Sequence, residues 1–191
     1  MSKDKRPYVC PAEFAGTLDN LLRRLVHKPR KILEPYISEG MTVLDLGCGP
    51  GYFTSELAKL AGERGRIIAA DLQQKMLEKM AMKIRGTELE KRVEMHLCQT
   101  GRIGIPGKVD FVLAFWMVHE VSDHQKLFEE LKSALNPGGR IWIIEPKFHV
   151  TEKSFKKMIT RIESAGLEII ERPKISLSRT VLLAVREDQD A

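Results

Sequence analysis

The chain has 191 residues, of which 43% are hydrophobic, 30% charged and 6% aromatic, a composition that fits one folded domain of about 150 residues and excludes a long disordered chain. Its longest apolar run, Phe111 to Val118, has eight residues, whereas a membrane-spanning helix needs about 20, so no span is predicted. The formal net charge is +5, with eight lysines and arginines against four acidic residues before residue 37, a bias read first as a solubilising basic face and second as a surface for an anionic partner.

The start, MSKDKRPYV, is charged and lacks the apolar stretch of a secretory leader. Leu18, Leu21, Leu22 and Leu25 recur at helical spacing and predict a helix from Thr17 to about Val26. A second helix is predicted from Pro29 to before Gly40, burying Ile32, Leu33 and Tyr36. Strands and helices then alternate, the pattern of a parallel sheet covered by helices. The predicted elements are a strand 41–46, a helix 52–61, a strand 66–70, a Met-rich helix 73–84, and strands 93–97 and 111–115. Ser122 and Gln125 form a capping box that opens a helix to Leu135, ended by the turn Asn136-Pro137-Gly138-Gly139 before a strand 140–145. Thr151 caps a helix to about Ala165, followed by strands 167–171 and 180–186. The gap between these last strands is too short for a parallel crossover, so they are expected to pair antiparallel. The three cysteines, Cys10, Cys48 and Cys98, form no CxxC pair, and the expected setting is reducing and cytoplasmic.

The densest chemical signal is VLDLGCGPGYFT, residues 43–54, a strand running into Gly47, Gly49 and Gly51 and then a helix. Glycines there permit positive φ and leave room for a ligand to lie against the main chain. Asp45 precedes the first glycine by two residues, and Asp71 closes the next strand, where its carboxylate can accept both hydroxyls of a ribose. The dinucleotide fingerprint GxGxxG is not met, because residue 52 is Tyr, and no Walker lysine motif is present.

The DxGxGxG spacing, the following acidic residue, the Pro-Gly-Gly turn and the antiparallel end together resemble the class I S-adenosylmethionine-dependent methyltransferases over about residues 30–186. The resemblance implies an α/β fold with a doubly wound, seven-stranded, mostly parallel sheet and an antiparallel C-terminal edge. It implies that Asp45 helps hold the amino-acid end of S-adenosylmethionine, and that Gly47, Cys48, Gly49 and Gly51 line its carboxylate and sugar. Asp71 would bind the ribose hydroxyls, Leu72 would pack on the adenine, and Phe115 would border the site from the fourth strand. Many relatives carry Gly-Asp-Ala after the third strand. The present chain has Cys98-Gln99-Thr100, where the Gln99 amide oxygen can still accept from the adenine amino group.

Methyl transfer from a sulfonium depends on alignment and on excluding water, and needs a base only where the acceptor must lose a proton. The residues beyond the fourth and fifth strands are Trp116, His119, Glu120, Glu145 and His149. The stretch from Ala114 to Pro146 resembles the ubiquinone and menaquinone C-methyltransferases and their small-molecule relatives, in which a histidine often stands where His119-Glu120 stand here. His119 and Glu120 are therefore the candidate catalytic residues, His119 as general base. Trp116 reads first as core and second as a lid, Cys98 as a small buried side chain, and His149 first as surface and second as a residue at the pocket mouth. HExxH is not met, and no metal site is expected.

The expected organisation is an N-terminal extension and helical cap over residues 1–36 and a methyltransferase domain over 37–191. The first reading is transfer of a methyl group to a small-molecule acceptor. The alternatives are an RNA- or protein-directed methyltransferase using the basic N-terminal segment, and a non-catalytic S-adenosylmethionine-binding module.

Overall fold

The computed structural model describes residues 27–187, so the helix expected from Thr17 to Val26 lies outside the described residues. Seven strands form one sheet: β1 (Thr42–Leu46), β2 (Arg66–Asp71), β3 (Val93–Leu97), β4 (Val109–Phe115), β5 (Leu135–Pro146), β6 (Leu167–Glu171) and β7 (Ser178–Val185). Their order is β3-β2-β1-β4-β5-β7-β6. The first five run parallel, and β7 pairs antiparallel with both β5 and β6, as the short connection between the last two strands requires. The order reverses between β1 and β4, which opens a crevice beyond their carboxyl ends, the place where open α/β sheets bind ligands.

Among the described residues five α-helices cover the sheet: α1 (Pro29–Leu33), α2 (Thr54–Leu60), α3 (Gln74–Ile84), α4 (His124–Ala134) and α5 (Glu152–Ser164). Strand side chains alternate between two cores. Val43, Ile67, Ala69, Phe111, Leu113, Trp142 and Ile144 face α1, α2 and α3, where Leu33, Leu57, Leu77 and Met80 meet them. Leu44, Leu46, Ile68, Val112, Ile141 and Ile143 face α4 and α5, meeting Phe128, Leu131, Phe155, Met158 and Ile162. Both faces of the central strands are buried, which accounts for the unbroken apolar run of β4. Two of the three methionines of α3, Met76 and Met80, are buried with Leu77 and Ile84 on its inner stripe, whereas Met82 is exposed.

Three local expectations are corrected. The helix from Pro29 stops at Leu33 and yields to a turn that seats Ile37 in the core, because Pro35 cannot donate the next helical hydrogen bond. The cap of α4 is Asp123, not Ser122. The Asp123 side chain accepts from the Lys126 N–H at 3.1 Å, and a carboxylate is the stronger acceptor for an orphan helical N–H. The Asn136-Pro137-Gly138-Gly139 turn ends α4 as expected but lies within the span of β5. Val109 pairs with Leu135 and Phe111 with Arg140, so the turn is extruded from the ladder as an irregularity. The cap of α5 is Thr151, whose hydroxyl accepts from the Ser154 N–H.

Candidate active site

The loop that leaves β1 is tied to the end of β2. The N–H groups of Gly47 and Cys48 both donate to the Ala70 carbonyl, at 2.8 and 3.0 Å, and Gly51 N–H donates to Cys48 O at 3.0 Å. Gly47, Gly49 and Gly51 all have positive φ, at 70°, 53° and 77°, but their surroundings differ. A Cβ on Gly47 would stand 2.8 Å from Cβ of Met117, and one on Gly51 would meet the Met80 sulfur, whereas nothing lies within 4 Å of one on Gly49. Gly47 and Gly51 are thus dictated by packing. Gly49 borders open space at the crevice.

Two carboxylates flank that space. Asp71 is 9% exposed, and its oxygens accept from the Gly49 N–H and the Gln73 N–H, each at 2.9 Å. Burial raises its carboxyl above the ordinary range, opposed by those backbone hydrogen bonds. A carboxylate has about four lone-pair sites, so it still has acceptor capacity for a diol. Asp45 is 3% exposed and accepts from the Thr54 hydroxyl at 2.6 Å. The pair of acidic acceptors, the open notch at Gly49 and the half-exposed Leu72 at the rim fit a ribonucleoside with an amino-acid tail. The ribose hydroxyls and an ammonium are donors, and the notch admits a group against the main chain.

Cys48 is buried beside this loop. Desolvation and then the nearby Asp45 and Asp71 carboxylates push its thiol far up, and burial pushes Cys98 up to about 12. Both therefore act as small packing groups rather than thiolates. Gln99 and Thr100 are exposed in a tight turn in which Gln99 and Arg102 exchange backbone hydrogen bonds. The turn hangs from β2 through Cys98 N–H to Asp71 O at 2.9 Å, which sets Gln99 at the rim beyond Asp71.

On the other side of the crevice, β4 ends at the buried Phe115. Trp116 follows with φ at 57°, a left-handed conformation that a bulky side chain adopts at a cost. It is held by its N–H on Ile144 O at 2.7 Å and by its indole N–H on Ser178 Oγ at 3.0 Å. Its ring is core, and the rings of His27 and Phe148 stand edge-on to it at 5.4 and 5.2 Å. Met117 then rests on Gly47, and a 3-10 turn over Val118–Glu120 carries His119 and Glu120. His119 is one-quarter exposed, and its Nδ1 lies 2.7 Å from Oε2 of the fully buried Glu145. The ring of His149 stacks on it at 5.7 Å, so this histidine is exposed yet belongs to the crevice. The neighbouring His124 bonds Val118 O instead. Among the described residues no group of three or more His, Cys, Asp or Glu is placed to hold a metal ion.

Several contributors carried no sequence signal of their role. Thr54 steadies Asp45, Met80 fills the space beneath Gly51, Lys83 donates to the Gly51 carbonyl, and Glu145 holds His119. Each acts between separate elements, where linear spacing carries no information.

Comparison with known proteins gives the family and the fold. A family model described as a methyltransferase domain matches residues 37–176. A demethylmenaquinone methyltransferase of Lactobacillus johnsonii is 34% identical over 115 residues, covering 57% of this chain and 45% of that protein. A ubiquinone/menaquinone biosynthesis C-methyltransferase of Escherichia coli O1:K1 is 29% identical over 110 residues, covering 57% of this chain and 44% of its own. The match thus spans less than half the length of these curated relatives. The crystal structure of a SAM-dependent methyltransferase from Aquifex aeolicus superposes with a TM-score of 0.81 at 28% identity, covering 92% of this chain and 98% of that one.

Proposed function

The chain belongs to the methyltransferase-domain family, and from that premise we propose that it transfers a methyl group from S-adenosylmethionine to a small-molecule acceptor. One observation carries the reading: the Asp71 carboxylate, anchored on the Gly49 N–H, stands beside an open notch, with Asp45 buried near the carboxyl end of the neighbouring strand. When bound, S-adenosylmethionine supplies an electrophilic methyl on a sulfonium, open to in-line attack. Asp71 holds the ribose hydroxyls, and Asp45 holds the amino-acid end. Gly47, Cys48, Gly49 and Gly51 give the main-chain floor, and Leu72, Gln99 and Thr100 form the adenine rim. Phe115 closes the site from β4.

His119 is the general base where the acceptor must lose a proton, and Glu120 faces the acceptor from the same turn. The turn abuts the cofactor loop through Met117 and Gly47. Of the segment to residue 36, the described part, residues 27–36, packs against the domain that follows: the ring of His27 stands against Phe115 and Trp116, and its Nε2 lies 3.1 Å from Ser176 O. The basic bias before residue 37 favours an anionic acceptor.

The test is incubation of the protein with methyl-labelled S-adenosylmethionine and a native extract, followed by separation of small-molecule, RNA and protein fractions. Label in the small-molecule fraction is expected. Label confined to RNA or protein assigns the basic segment to a macromolecular acceptor, and cofactor binding without transfer to any fraction leaves a binding module.

A further inference from the structure

Glu145 is entirely buried near the end of β5, and a buried carboxylate offsets its desolvation only when its oxygens are engaged by hydrogen bonds. Its oxygens accept from the Val118 N–H at 3.0 Å and the His119 N–H at 3.2 Å, and Oε2 also lies 2.7 Å from His119 Nδ1. The two main-chain bonds suffice to fasten the 3-10 turn. The third is spent on an imidazole that is one-quarter exposed at the crevice. The ring plane is fixed a second time by His149, whose ring lies within 15° of parallel. The turn itself is entered through the left-handed Trp116, so its path is imposed by hydrogen bonds and not by local preference.

We propose that Glu145 is the positioning residue for His119. The inference rests on the reading of His119 as base. An ionised carboxylate only accepts, so His119 carries its proton on Nδ1 and its basic nitrogen is Nε2. As the acceptor atom forms its bond to the methyl, the electron pair of the breaking methyl–sulfur bond would stay on sulfur, leaving S-adenosylhomocysteine, and Nε2 would take the proton that the acceptor sheds. The imidazolium so formed is paired with the Glu145 carboxylate, which stays ionised, and Nε2 later returns the proton to solvent.

The experiment uses the full chain with isotope-labelled histidine, and reads the His119 tautomer and ring titration by NMR in the wild type and in Glu145→Gln. Besides Glu145, the titratable and charged groups near His119 include His149 stacked on the ring, Glu120 next in sequence, and His124 with Arg161 beside Val118 O. All remain in both proteins, so the difference isolates Glu145. The wild type is expected in the Nδ1–H tautomer. In Glu145→Gln the population moves towards Nε2–H and the ring titrates at lower pH, with unchanged affinity for S-adenosylhomocysteine. A wild-type ring in the Nε2–H form, or a tautomer and titration indifferent to Glu145→Gln, overturns the proposal. Should Glu145→Gln fail to fold, the wild-type tautomer decides alone.

Methyl incorporation into the small-molecule fraction of an extract separates the two layers. Full transfer by His119→Ala overturns the base reading itself. Where His119→Ala is inactive, Glu145→Gln is expected to lose about 100-fold in turnover, and full turnover by it overturns the positioning role alone.

Discussion

The sulfur of Met80 lies 1.6 Å from the place a Cβ on Gly51 would occupy, so α3 packs directly against the main chain of the glycine loop. Gly49, two residues earlier, has no such neighbour. The two glycines therefore answer to different demands. Gly51→Ala combines a left-handed alanine with overpacking and is expected to cost about 3 kcal/mol of stability, read from the denaturant midpoint. Gly49→Ala bears only the left-handed strain of about 1–2 kcal/mol, but its methyl enters the open notch. Calorimetry should show weakened S-adenosylhomocysteine binding for Gly49→Ala at temperatures where the variant is folded. Equal affinities for Gly49→Ala and the wild type would remove the notch from the cofactor site.

Asp71 supplies the complementary measurement. Its carboxylate is fastened by the Gly49 and Gln73 N–H groups, so it is held in place before a ligand arrives. Hydrogen bonds to a charged group contribute about 1.5–3 kcal/mol. Asp71→Ala is thus expected to weaken S-adenosylhomocysteine binding by about 10- to 100-fold, and unchanged affinity would refute the ribose role.

His124 gives the fold a pH dependence. Burial and then the adjacent Arg161 guanidinium hold its imidazole below the ordinary histidine value, against the pull of Val118 O, Glu145 and Asp123. The unfolded chain therefore binds a proton at a pH where the folded chain does not, and stability falls as pH drops through the ordinary histidine value of about 6.5. His124→Gln removes this contribution. Between about pH 7.5 and 5, a window centred on that value, Tm should decline less steeply in the variant than in the wild type. Parallel profiles would show that another group sets the slope.

The sheet was legible because its information is local and repeated. The unbroken apolar run of β4, the alternation in β3 and the glycine loop after β1 each mark a strand by its own residues, and the short gap before β7 dictates antiparallel pairing. The loop's flanking acids, Asp45 and Asp71, were legible for the same reason. The pairing of His119 with Glu145 was not, although both were recognised as crevice residues. They are 26 positions apart, and the bond exists only because β4 and β5 are neighbours whose ends bring the turn over the carboxylate. The α4 cap was misplaced by one residue because Ser122 and Asp123 are both good caps, and the helix starts at whichever side chain its tertiary packing favours.

Asp45 and Thr54 test how far the site is prebuilt. Asp45 projects from β1 towards α2, where Thr54, itself fully buried, donates its hydroxyl at 2.6 Å. The bond joins a strand end to the first residue of the helix that follows the glycine loop, so it closes the loop from within. Thr54→Val keeps the volume and removes the donor, withdrawing one partner from a buried carboxylate at an expected cost of about 1–3 kcal/mol. The same change frees Asp45 to turn, so S-adenosylhomocysteine affinity should fall with stability. Thr54→Ser restores the hydroxyl and should recover affinity while giving up the methyl's packing. Recovery of affinity by serine, measured by calorimetry, assigns the effect to the hydrogen bond. Equal loss in the valine and serine variants assigns it to packing alone and leaves Asp45 positioned by its other surroundings.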